Sequence, residues 1–304
     1  MTHDLRFGIV VLQSLPFPEL VQRWQTVEAL GFDSLWLPDH HTTHLAPDRP
    51  WFDAWTLLGA MAQTTERVRI GPLVSTPTHH NPSMFVKRAT TVDHMSNGRL
   101  ELGLGSGGMA AAWEEAMLGV PSWSRGQRIE RFREFVELLM LQFQNEKSSY
   151  AGKYYNTQET VMLPLPVQRP YPPFTIAAHG PKSLRIVAEY GNAWNSYGRG
   201  ETTAAFYQFL KAQSEILDAH CADLGRDPQE IRRSLLIGTG DCLESASTDA
   251  FQDFVGKFQE LGFSEFTMYW FPDEAANRVS DKAITSLARL EQIALKAIPG
   301  LRPR

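Results

Sequence analysis

Cysteine is nearly absent from this chain of 304 residues; there are two, Cys221 and Cys242. So few exclude a disulfide scaffold and a multi-cysteine zinc or iron–sulfur centre. No run of about 18 apolar residues occurs, so nothing reads as a membrane span. Positive charge is not in excess either. There are 34 acidic residues against 29 basic ones, for a net charge of -5, and no basic block stands out. That balance argues against a nucleic-acid partner. The opening MTHDLRFGIVVL lacks the basic flank and long apolar stretch of a secretory signal, which predicts a cytoplasmic protein. What remains is ordinary globular composition, 43% hydrophobic and 21% charged, enough for a sizeable core.

Short aliphatic runs alternate with amphipathic segments of helical length. Arg6–Leu12 predicts a strand, and Glu19–Leu30 a helix with Leu20, Trp24, Val27 and Leu30 on one face. Gly31 sits where a helix end wants a left-handed residue. The pattern repeats as Asp33–Leu37 with Ala54–Thr64, Arg67–Ser75 with a helix opened by Asn81-Pro82, and Arg99–Gly105 with a long helix near Arg125–Phe143. A Pro-rich excursion over about 145–173 interrupts the rhythm. It then resumes with Phe174–Ala178 and Pro181–Tyr190, Ala193–Ser196 and Thr203–Leu224, Ser234–Thr239 and Thr248–Leu261, and Glu265–Tyr269 and Asp281–Ala297. Eight strand–helix units with unalternating strands imply a parallel sheet covered by helices. At this length they predict one (β/α)8 TIM barrel over 1–304, an α/β fold, with a doubly wound open sheet as the alternative.

Barrels of this kind do their chemistry at the carboxyl ends of the strands. Five of the nine histidines, 40, 41, 79, 80 and 179, fall on those predicted ends. Metal hydrolysis would want an H-x-H on the first strand, which carries neither histidine nor carboxylate. Paired-carboxylate chemistry finds only Asp241 and Glu244 on the later strand ends. Binding of a flat, phosphate-bearing cofactor fits better. Gly107, Gly108 and Gly180 allow close backbone approach, and a histidine can act on the bound ring or substrate. Gly103-Leu-Gly-Ser-Gly-Gly lacks the acidic residue that a dinucleotide fingerprint needs.

Four segments in order carry a family resemblance: EALGFDSLWLPDHH (28–41), TERVRIGPLVSTPTHHNP (65–82), ATTVDHMSNGRLELGLGSGG (89–108) and AAHGPKSLRIVAEYGNAWNSYG (177–198). Through them the chain, from about Phe7 to Lys296, resembles the bacterial-luciferase-like superfamily. These are TIM-barrel enzymes that use reduced FMN or the reduced deazaflavin coenzyme F420. The resemblance implies an oxidoreductase that reduces or monooxygenates a small organic substrate, with reduced cofactor supplied by a separate reductase. It also implies a homodimer pairing through the second and third helices. Some relatives are non-catalytic partner subunits; retention of His40 and both glycine loops argues against that role here.

Site residues follow from the resemblance. His40 matches the catalytic histidine after the second strand, and Asp39 orients or tunes it. Near Leu73-Val74 the family often carries a non-proline cis peptide under the ring, with Ser75 and Thr76 as ring or ribityl contacts. Ser106, Gly107 and Gly108 match the loop at the ribityl chain or phosphate. Ser106 stands where luciferase-type members have arginine. Gly108 stands where sugar-oxidising deazaflavin members have an acidic residue, which argues against a glucose-phosphate dehydrogenase. Arg128 matches a phosphate-holding arginine, and His179, Gly180 and Pro181 a phosphate-binding turn. His41, Trp51, His79 and Trp270 are expected around the substrate pocket, with Trp270 facing the site. Asp39-His40 and the absent arginine favour deazaflavin over flavin.

Overall fold

The computed structural model describes residues 3–43, 48–197, 202–237, 247–272, 284 and 286–302, with backbone alone at 109–111. Eight strands form one parallel sheet: β1 (Arg6–Val11), β2 (Ser34–Leu37), β3 (Arg69–Pro72), β4 (Leu102–Gly105), β7 (Phe174–Ala177), β8 (Ala193–Tyr197), β9 (Arg232–Ile237) and β10 (Phe263–Trp270). Their order is β3-β2-β1-β10-β9-β8-β7-β4. Parallel bridges Ile70–Leu100 and Ser75–Leu104 then join the two edges, so the sheet closes into the predicted barrel.

Around it lie α1 (Phe17–Ala29), α2 (Ala54–Thr64), α3 (Pro82–Met95), α4 (Met109–Leu118), α5 (Arg125–Gln144), α6 (Pro181–Tyr190), α7 (Thr203–Leu224), α8 (Thr248–Gln259), α9 (Leu287–Gln292) and α10 (Ile298–Leu301). Asp53, Asn81, Ser124, Thr202 and Ser247 each cap a helix by accepting a backbone N–H of its first turn. Gly31 is left-handed, at φ +85°, directly after α1 as the sequence predicts.

Three features depart from expectation. The excursion holds an antiparallel hairpin, β5 (Lys147–Ala151) and β6 (Asn156–Val161), where the sequence pattern assigns no strands. Its turn is held to α5 by Glu134, which accepts from the backbone of Lys153 and Tyr154 at 2.9 and 2.8 Å. An additional helix, α4, fills the stretch between β4 and the long helix. Finally, the last predicted helix contains a π turn over Ile293–Ala297, and its first residues lie outside those described.

Apolar side chains divide between two cores, following the period-two alternation of strands. Phe7, Ile9 and Val11 of β1 point to the helix layer, together with Phe266 and Met268 of β10. Val10, Trp36, Leu73 and Leu236, with Val74 and Tyr269, fill the barrel interior. Trp36 needs the space that glycines leave. A Cβ on Gly8 would come within 3.0 Å of its Nε1, and one on Gly71 within 2.9 Å of its ring. The amino-terminal end of the barrel carries a charged layer. There Glu101 pairs with Arg6 at 3.1 Å and with Arg69. Burial, with the Glu101 charge beside it, pushes the Glu265 carboxyl up to about 7.

Closure depends on glycine at the β3–β4 seam. A Cβ on Gly103 would stand 2.1 Å from the Pro72 carbonyl oxygen, and one on Gly71 2.0 Å from that of Glu101. Both obstacles are backbone and cannot swing away. Gly103→Ala is therefore expected to cost about 2–3 kcal/mol, the upper range for overpacking, seen as a lowered urea midpoint. An unchanged midpoint would mean that the seam relaxes freely.

Candidate active site at the barrel mouth

Going round the barrel, β2, β3, β4 and β7 are consecutive neighbours. Most of the site residues expected from the sequence follow these four strands, so the topology gathers them on one arc of the mouth. The outcome for each differs.

Asp39, just past β2, is the polar centre. Its carboxylate is buried and accepts from Ser75 Oγ, from His80 Nε2 at 2.7 Å and from Trp55 Nε1 at 3.1 Å. Burial opposes its ionisation, but hydrogen bonding and charge from His80, with the Ser75 hydroxyl and His79, hold the carboxyl below the usual range. Ser75 reaches it because Ser75 N donates to Gly103 O and Gly105 N donates to Ser75 O, both at 2.9 Å across the seam. Trp55 is thereby a buried support for Asp39. Trp51 lies nearer the surface and donates from Nε1 to the His40 carbonyl at 3.0 Å.

His40 is partly exposed, and its Nδ1 lies 2.9 Å from Glu114 Oε2. Glu114 also accepts the His41 backbone N–H on Oε1 at 2.8 Å, while the His41 side chain is exposed. Burial weakens the proton affinity of His40, yet the Glu114 hydrogen bond and charge outweigh it and raise the affinity above the ordinary value of 6.5. His79 is more enclosed. Its Nε2 lies 3.7 Å from the same Glu114 oxygen, and burial lowers its proton affinity.

Glu114 and its neighbour Glu115 were not among the residues singled out from sequence. The usable signal was MAAAWEEAML closed by Gly119, a strong helix-forming run with a left-handed stop at φ +64°. Arg128 forms a two-pronged ion pair with Glu115, at 2.6 Å through Nη1 and 2.7 Å through Nη2. A buried carboxylate thus already balances its charge.

Leu73 and Val74 belong to the barrel interior, and the peptide bond between them is cis. Ser106-Gly107-Gly108 leads from β4 into α4, with Gly107 at φ +83° and Gly108 capping the helix beside open space. A carboxylate reaches His40 from Glu114, so the absence of an acidic residue at 108 does not leave the site without one. His179, Gly180 and Pro181 feed the amino terminus of α6; Gly180 N donates to Ser183 Oγ, and Arg125 stands over Gly180. Thr76 is buried, with its hydroxyl lacking a hydrogen-bond partner among the described residues. Asp241, Cys242 and Glu244 lie outside the described residues.

Trp270 departs from expectation. It does not face the site: it belongs to the helix-side core, with the Arg23 guanidinium 4.3 Å from its ring centroid. Alternation along β10 turns Tyr269 inward instead.

A closed barrel with its titratable cluster at the carboxyl ends of the strands has the layout of a barrel enzyme. Residues 5–294 match the luciferase-like monooxygenase family, and the chain belongs to it. An F420-dependent glucose-6-phosphate dehydrogenase of Microbacterium testaceum is 32% identical over 289 residues, 90% of this chain and 74% of that one. One from Beutenbergia cavernae is 35% identical over 208 residues, 65% of this chain but only 58% of the relative's length. Among solved structures, an F420-dependent secondary alcohol dehydrogenase in complex with an F420-acetone adduct gives a TM-score of 0.83. That likeness, over 99% of this chain and 100% of the other at 16% identity, is one of fold.

A raised histidine contributes stability fully below its unfolded value and loses it as pH rises through the higher folded value. Glu114→Gln keeps the Oε1 acceptor for His41 but removes the charge facing His40. Urea midpoints should therefore fall further at about pH 6 than at about pH 9. Equal losses at both would show that His40 is not held by this carboxylate.

Proposed function

We propose that the chain is an oxidoreductase that binds reduced deazaflavin F420 in the barrel mouth and exchanges a hydride with a small organic substrate. The observation that carries this is the commitment of His40 Nδ1 to buried Glu114, which leaves Nε2 as the nitrogen free to take or give a proton. Family membership and the F420-dependent relatives support it.

The residues present fit such a cofactor. Unpartnered hydroxyls on Thr76 and on Ser196 of β8, both buried, suit the polar edge of a ring. Ser75 is spoken for by Asp39, which leaves Thr76 the better contact of that pair. Leu73 and Val74 offer an apolar bed. Gly107 and Gly108 let a polar chain pass close to the backbone, and the amino terminus of α6 with Arg125 favours a phosphate. Arg128, balanced by Glu115, contributes less there. When bound, the deazaflavin supplies or accepts the hydride. His40 then handles the accompanying proton at Nε2, with Asp39, His80 and Ser75 fixing the loop that carries it. His41, Trp51 and His79 border the substrate, and a separate reductase delivers the reduced cofactor.

Fluorescence titration of the purified chain with F420 and with FMN, each oxidised and reduced, tests the assignment. Binding of F420 alone is the expected outcome. Preference for reduced FMN would instead make the protein a two-component monooxygenase. Binding of neither below about 1 mM, worth only about 4 kcal/mol, would leave a non-catalytic partner subunit. His40→Asn should lower kcat at least about 100-fold while cofactor affinity stays within about threefold. Parallel loss of affinity would place His40 in binding rather than proton transfer.

A further inference from the structure

One carboxylate oxygen serves two imidazoles. Glu114 Oε2 lies 2.9 Å from His40 Nδ1 and 3.7 Å from His79 Nε2. Both Glu114 and the His79 ring are nearly enclosed, with 2% and 10% of their side-chain surface exposed. His79 Nε2 is buried and has no hydrogen-bond partner among the described residues. A buried nitrogen with no partner is expensive, and this one points at a group already holding a proton donor.

We infer that Glu114 and His79 form a proton relay behind His40, in which His79 is the store. The inference rests on the proton role of His40 proposed above. In the direction of substrate oxidation, as His40 Nε2 accepts a proton from the substrate, the Nδ1 proton passes to Glu114 Oε2, and from there to His79 Nε2. Glu114 ends as carboxylate, His40 as neutral imidazole with its proton on Nε2, and His79 as imidazolium. In the reverse reaction each transfer runs backwards, and no oxidant or reductant enters any of them.

The surroundings make the store a transient one. His79 shares the pocket with Asp39 and His40 after β2, with His80 on its own loop and with Glu114 of α4. Arg88 of α3 lies 3.4 Å from His80 Nδ1, and Arg131 of α5 donates to the Pro77 carbonyl at 2.9 Å. The Asp39 charge is taken up by His80, leaving Glu114 as the acceptor facing His79. Enclosure lowers the proton affinity of His79 while Glu114 raises that of His40, so a proton lent to His79 is held only transiently and returns through Glu114 to His40.

Titration of the cofactor-free chain labelled with 15N-histidine tests the coupling. His40 should titrate in two steps, the lower coinciding with protonation of His79. The lower step should vanish in His79→Gln and again in Glu114→Gln. A single His40 step, unchanged in His79→Gln, would overturn the relay and leave the cofactor assignment standing. Should His79→Gln not fold, the two-step curve of the unsubstituted chain decides alone. In turnover, His79→Gln should lose about tenfold in kcat and regain it with added imidazole buffer. A loss that buffer does not restore would count against proton storage. Failure of the chain to bind F420 would remove the function proposed above without touching the coupled titration.

Discussion

The closure of the barrel between β3 and β4 is the constraint from which the site follows. Two strands can approach there only because Gly71 and Gly103 place no side chain between them. That approach sets the backbone of Ser75 against β4. Ser75 then meets Asp39, and Asp39 gathers His80 and Trp55. The contacts that Asp39 makes with Ser75, His80 and Trp55 are therefore downstream of a backbone distance deep in the sheet. A side chain inserted at the seam would reach the histidines without touching them.

Legibility in the sequence tracked the type of interaction. The strands and most helices could be read because their signals are local: aliphatic runs, a cap such as Asn81, a stop such as Gly31. The barrel followed from counting those units. His40, Asp39 and the glycine loops were visible through the order of family-like segments. Glu114 was not, because a glutamate in an alanine-rich run looks like a solvated helix surface, and only the fold turns that face inward. The pairing of Arg128 with Glu115 was hidden for the same reason. Trp270 failed differently: at the last residue of a strand, a shift of one position exchanges inside for outside, and the sequence does not fix where that alternation starts.

Charge is handled in opposite ways at the two ends of the barrel. At the amino-terminal end Glu101 is held by Arg6 and Arg69, and Glu265 is shifted toward its neutral form by burial. At the mouth, Asp39 and Glu114 are kept ionised against burial by histidines, while Glu115 is paired with Arg128. Arginine fixes charge across the accessible pH range, whereas histidine lets charge change near neutrality. The histidines gather at the mouth, the end at which barrel enzymes do their chemistry.

Trp36, seated where Gly8 and Gly71 leave room, has a consequence for traffic. With Val10, Leu236 and Tyr269 it stoppers the barrel beneath the mouth. A molecule bound at the mouth would meet this packed layer beneath it and would enter and leave from the same side. Whatever bound deepest there would have to arrive first and leave last, and exchange would be a queue rather than a flow.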